Sequence, residues 1–192
     1  MNITFDPGPH TYAIDGAPVP NVTSIIARFL PYSYPADPYV LERGRVNHEC
    51  YRMLVSEMLF DYDPKSGPWI DGWLKWEADF GASSRRPEVV CGSKRFGFAG
   101  TADLICYDRQ TLTLADYKNS FSCRDKYQLG AYSIALKETT GEEIQKAFTV
   151  QINGDGGYKM SAKINKRELQ RYGREFLAML ATYKIQEKEG IL

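Results

Sequence analysis

The sequence predicts an α/β fold, a central β-sheet flanked by helices, and three observations carry that prediction. Two apolar runs, Gly100 to Ile105 and Leu112 to Lys118, flank the polar segment Asp108-Arg109-Gln110-Thr111, which is the pattern of an antiparallel hairpin. A second pair of alternating runs, Ala147 to Asn153 and Tyr158 to Ile164, surrounds Gly154-Asp155-Gly156-Gly157 and would extend the same sheet. Helical spacing brackets both hairpins, with Trp69, Trp73, Trp76 and Phe80 before them and Leu169, Tyr172, Phe176, Leu180 and Tyr183 in a closing helix from Glu168 to Lys188.

The remaining elements follow in order. Asn2 to Phe5 and His10 to Ile14 alternate around Asp6-Pro7-Gly8-Pro9, a further hairpin, and His10 at its edge reads as a surface residue. Asn21 or Thr23 would cap a short helix ending near Pro31; Ser24 and Thr23 at its N-terminus could hold a phosphate, and capping explains them equally well. Tyr32 to Pro38 is a loop, and Asp37-Pro38 opens a helix expected to reach about Phe60, with His48 inside it. Asp61 to Pro68 is a polar loop. The tryptophan stripe after it is read as core, with stacking on unpaired bases as the alternative. Pro87 to Val90 opens the strand before the hairpin, turning at Gly92 to Arg95, and Ser122 or Asp125 starts a helix that sets Gln128 and Tyr132 one turn apart.

With 192 residues and no repeat, linker or low-complexity tract, residues 1–192 are expected to form one domain, long enough to bury about 70% of its extended-chain surface. Cys50, Cys91, Cys106 and Cys123 form no C-x-x-C pair, no secretory signal is visible at Met1 to Thr11, and no apolar run has membrane-spanning length; a reducing, cytoplasmic compartment is expected. The 24 basic and 24 acidic residues cancel, so a nucleic-acid partner would have to be met by local groups of charge. Arg124 and Lys126, between the second hairpin strand and the Gln128 helix, are the best placed of these.

Side chains alternate along a strand, so Asp116 and Lys118 point the same way, and the hairpin can lay Asp103 beside Asp116. Two carboxylates that close repel unless a proton or cation intervenes. Paired hard oxygen ligands suit Mg²⁺ or Mn²⁺. Two carboxylates and an ammonium at one spot outline a phosphodiester-cleaving site.

The ordered set Gly100-x-x-Asp103, Asp116-x-Lys118 and Gln128-x-x-x-Tyr132, with Gly44-x-x-x-His48 upstream, resembles the RecB-like exonuclease branch of the PD-(D/E)XK nucleases. The similarity spans roughly Val22 to Tyr132. No single piece is specific, since a second Asp-x-Lys, Asp63 to Lys65, sits in a predicted turn. The resemblance implies a restriction-endonuclease-like mixed sheet and a metal-dependent DNA exonuclease of phage type, acting in replication, recombination or repair on single-stranded or duplex ends. It further implies one or two Mg²⁺ or Mn²⁺ ions on His48, Asp103, Asp116 and the Tyr117 carbonyl, with Asp103, Asp116 and Lys118 as the catalytic set. Gln128 and Tyr132 would line the groove, and Glu88 would either support the site or lie at a strand end on the surface. Some relatives carry an iron-sulfur cluster. No cysteine follows Cys123 here, so none is expected. A non-cutting binding module on the same fold, for nucleic acid or protein, and an unrelated α/β protein with a plain ion-pair network are the competing readings.

Overall fold

A computed structural model describes residues 1–31, 37–58 and 60–191. The chain begins with β1 (Ile3–Asp6), β2 (Thr11–Ile14) and β3 (Ala17–Val19), a three-stranded antiparallel sheet, followed by α1 (Val22–Phe29) and α2 (Pro38–Val55). A 3₁₀ turn at Pro64–Ser66 leads into α3 (Gly67–Phe80), then β4 (Ser83–Ser93), β5 (Phe98–Asp108) and β6 (Thr111–Lys118). After α4 (Asp125–Thr140) come β7 (Lys146–Ile152), β8 (Tyr158–Met160), β9 (Ile164–Asn165) and α5 (Lys166–Lys188). The main sheet runs β4-β5-β6-β7-β8, with β9 also on β7. Among the described strands only β6 and β7 pair in parallel, because α4 carries the chain across the sheet between them. The sheet is therefore mixed, as the sequence resemblance implies.

Alternation along β5 and β6 divides the core. Ile105 and Leu114, opposite each other, join Ile25 of α1, Leu129 of α4 and Phe176 of α5 on one face; Leu104 and Ala115 join Tyr51 of α2 and Trp73 and Trp76 of α3 on the other. Trp73 and Trp76 are 0% and 1% exposed, stacked among Tyr51, Phe80, Tyr117 and Phe148. Those two rings are core and cannot meet a base.

Local chemistry sets the ends of the elements. Asn21 caps α1, accepting from the Ser24 N–H at 2.7 Å, and Asn165 with Glu168 closes a reciprocal capping box on α5. The second helix stops at Val55, short of the expected Phe60, because Glu57 adopts a left-handed φ of 55° and the Ser56 and Met58 N–H groups take the last carbonyls. β4 extends through Ser93, two residues into the expected turn, so the turn is displaced to residues 94–97 and closes at Gly97 with a φ of 64°. β3, three residues long with a proline, gave no readable pattern. The predicted loop from Tyr32 lies mostly outside the described residues, and among those described no helix is long and apolar enough to cross a membrane.

α4 and α5 approach so closely that a Cβ on Gly130 would lie 2.5 Å from the Gly173 nitrogen, whereas one on Gly67 would meet nothing within 4 Å. Gly130→Ala is therefore expected to lower the thermal midpoint by an amount equivalent to about 1–3 kcal/mol of overpacking, and Gly67→Ala to leave it unchanged or raise it. Equal midpoints for the two variants would refute this reading of the helix crossing.

Candidate active site

The β5–β6 ladder runs from Asp108↔Thr111 to Leu104↔Ala115 and ends there. Asp103 sits at the next position, where its Oδ2 accepts the Tyr117 N–H at 2.7 Å. A side chain thus takes over a backbone donor just where the strands part. Asp116 beside it is fully buried: Oδ1 accepts from Gln128 Nε2 at 3.2 Å, and Oδ2 lies 2.8 Å from Lys118 Nζ. Gln128 also reaches the Tyr132 hydroxyl at 3.1 Å. Tyr132 in turn lies over Gly100, where a Cβ would come within 2.8 Å of the ring. The glycine, the acid, the lysine and the Gln/Tyr pair therefore interlock physically.

α2 approaches from the other side. A Cβ on Gly44 would lie 3.2 Å from Asn119 Nδ2, so the glycine lets this helix close on the segment after Lys118. One turn later, His48 Nδ1 stands 3.6 Å from Glu88 Oε1 and 3.7 Å from Asp103 Oδ1. Glu88 occupies the β4 position between the Pro87↔Leu104 and Val89↔Ala102 pairs, with a left-handed φ of 47° that is strained for a residue with a side chain. His48, Glu88 and Asp103 offer ligand atoms all within 4.8 Å of one another.

The sequence-predicted residues divide accordingly. Asp103, Asp116, Lys118, Gln128, Tyr132 and His48 converge, and Glu88 joins them at the centre rather than at a surface strand end. Asp116 stands beside that ligand group, not within it. The Tyr117 ring packs against Tyr51 and Trp76, while its N–H holds Asp103. A cleft of about 560 Å³ opens over His48, Glu88, Asp103, Lys118, Gln128 and Tyr132. Ser24 is exposed but does not line it, whereas Thr23 does. Arg124 is buried, and Lys126 lies over the Tyr127 and Tyr172 rings; neither lines the cleft. Arg45 and Arg52 line it instead, paired with Glu42 and Glu49 of their own helix. Arg45 belongs to one of the local basic groups visible in the sequence, and spacing could have found Arg52, since Arg45, His48 and Arg52 recur at helical intervals.

Electrostatics fit a cation-binding site. Burial drives the Asp116 carboxyl up to about 6, against the pull of Lys118 and with Asp103 adding to the rise. Burial likewise raises Asp103, opposed by His48 and Lys118. The His48 imidazole would be lowered by burial, but Asp103 and Glu88 outweigh that and lift it to about 9. Three carboxylates therefore share one ammonium and one imidazolium. A divalent cation could replace the imidazole proton, and two carboxylates with one imidazole are an accepted donor set for Mg²⁺ or Mn²⁺.

These shifts give a pH signature without metal. A raised Asp116 stabilises the fold fully below pH 4 and loses that contribution as pH rises through 6; His48 stabilises below 6.5 and loses it through 9. Thermal midpoints in EDTA are expected to fall across both windows, Asp116→Asn reducing the lower fall and His48→Gln the upper. Midpoints independent of these substitutions would refute the electrostatic account.

No family model and no curated protein matches the chain. Among solved structures, a candidate exonuclease from Eubacterium rectale is 11% identical, with a TM-score of 0.54 and coverage of 90% of this chain and 82% of that one. An alkaline exonuclease from Laribacter hongkongensis is 12% identical, with a TM-score of 0.40 and coverage of 90% and 94%. The chain thus shares the fold of the Eubacterium rectale protein, a restriction-endonuclease-like mixed sheet flanked by helices.

Proposed function

We propose that the chain is a divalent-metal-dependent DNA nuclease of the PD-(D/E)XK superfamily, working as an exonuclease of the phage type. One observation carries the proposal: Lys118 Nζ is held 2.8 Å from a buried Asp116 in the same cleft as the His48, Glu88 and Asp103 ligand group. The fold shared with the Eubacterium rectale candidate exonuclease supports it.

His48, Glu88 and Asp103 would hold one Mg²⁺ or Mn²⁺, with Asp116 and the Tyr117 carbonyl adjoining. When bound, such an ion acidifies water and neutralises charge on a phosphodiester and its leaving oxygen. The side chains do the positioning. Asp103 is fixed by the Tyr117 N–H, so its second oxygen, on the His48 side, is the one free to face the cleft. Asp116, itself held by Gln128, holds Lys118 as a point cation, able to orient a water against the phosphate and to stabilise charge building on the phosphoryl oxygens.

Asp103→Asn tests this, because the amide can still accept the Tyr117 N–H while losing its charge. It is expected to lower cleavage of linear DNA by about 100-fold or more and to abolish the Mn²⁺-induced rise in thermal midpoint. Glu88→Gln should weaken that rise as well. Lys118→Ala is less clean, since it strands Asp116 in the interior at a cost of about 3–5 kcal/mol. Wild-type cleavage by Asp103→Asn would overturn the assignment; circular DNA cut as fast as linear would overturn the exonuclease mode alone.

A further inference from the structure

The cleft has a wall that the ligand group does not use. Phe5 of β1 and Tyr12 of β2 stand opposite each other in the ladder, their rings stacked with centroids 4.7 Å apart at 22°. His10 sets its ring edge-on to both, 5.1 Å from Phe5 and 5.7 Å from Tyr12. Tyr12 is buried and its hydroxyl lies 2.8 Å from Thr101 Oγ1, two residues before Asp103 on β5. That contact fastens the N-terminal sheet to the strand bearing the carboxylate. Phe5, His10 and Tyr12 line the same cavity as His48, Glu88 and Asp103.

Two features set this wall apart from an ordinary hairpin tip. His10 adopts a left-handed φ of 54°, a strained conformation for a residue with a side chain, although Gly8 is available in the same turn. The strain puts an exposed imidazole on the cavity wall. Second, a phosphate at the ligand group would leave its attached sugar and base within the same 560 Å³ cavity, whose lining includes this set of rings together with Thr23, Arg45 and Arg52. Aromatic faces hold bases by stacking, and every base has such a face.

We propose that Phe5 and His10 form a nucleobase subsite, on which the base next to the cleaved phosphate stacks. The subsite rests on the nuclease reading for its orientation, and it narrows the substrate class. A base inside a duplex has both faces covered by its neighbours, so only a terminal or unpaired nucleotide can occupy the wall. The chain therefore favours ends and single strands over duplex interiors.

The test compares single-stranded oligonucleotides whose end nucleotide carries its base or is abasic, using wild type, His10→Ala and Phe5→Leu. Wild type is expected to favour the base-bearing end by about 5- to 150-fold in kcat/KM, from stacking worth about 1–3 kcal/mol per base. His10→Ala should lose part of that preference while cutting the abasic end at the wild-type rate. His10 is exposed, so this variant leaves the core intact, and Phe5→Leu keeps apolar bulk against Tyr12. No preference in wild type, or equal losses on both substrates, would overturn the subsite. A calorimetric titration with dAMP and deoxyribose 5-phosphate separates the two proposals. Tighter binding of dAMP that weakens in His10→Ala supports the base wall even in a chain that cuts nothing, whereas equal affinities for both ligands overturn it.

Discussion

Three carboxylates, Glu88, Asp103 and Asp116, meet where β5 and β6 part, and like charges gathered out of water are the constraint that the rest of the structure accommodates. Burial alone would push the Asp103 and Asp116 carboxyls up. Each is instead met by a specific partner: the Tyr117 N–H for Asp103, Lys118 and Gln128 for Asp116, His48 for both Glu88 and Asp103. These partners come from a strand and from helices on both sides of the sheet. Two glycines make their approach possible, Gly44 beneath Asn119 and Gly100 beneath Tyr132. The sequence motifs are thus the visible trace of a packing requirement as much as of a chemical one.

What could be read from the sequence is what local periodicity encodes. The β5–β6 hairpin, the alternation that puts Asp116 and Lys118 on one side, the turn-spaced Gln128 and Tyr132, and the closing α5 all follow from intervals of two or four residues. Glu88 was legible only through the resemblance, which left a supporting role and a surface strand end both open. Its place in the cluster depends on a backbone kink at a left-handed φ and on pairing with β5, both tertiary facts. Basic residues are hard to place from sequence for a related reason. A lysine or arginine announces charge but not direction, so Arg124, favoured by its position in the chain, is buried, while Arg45 and Arg52 on α2 reach the cleft.

The aromatic residues invert in the same way. The tryptophan stripe has a spacing that serves a core or a stacking surface equally, and tertiary packing decides for the core, with Trp73 and Trp76 sealed between α2 and the sheet. Beside Tyr132 and His48, the rings that line the cleft belong to the N-terminal hairpin, where strand alternation sends Phe5 and Tyr12 to one side and a tight turn brings His10 onto them. A short hairpin of that kind carries no periodic signal beyond its own strands. Its contribution depends on where the Tyr12 hydroxyl docks, on Thr101, eighty-nine positions along the chain.

Net charge connects these points. Affinity for a nucleic acid backbone usually comes from releasing counterions, in proportion to the phosphates neutralised. This chain balances 24 basic against 24 acidic residues, and the two arginines at the cleft are each paired with a glutamate one turn away. Little long-range attraction is left to hold a strand. On the proposed reading, a site so placed needs short-range contacts that salt does not screen, and the rings beside the His48, Glu88 and Asp103 group would supply them. The balanced charge, the self-paired arginines and the aromatic wall would then serve one strategy: a strand gripped at its reacting nucleotide, by base and phosphate together, rather than along its length.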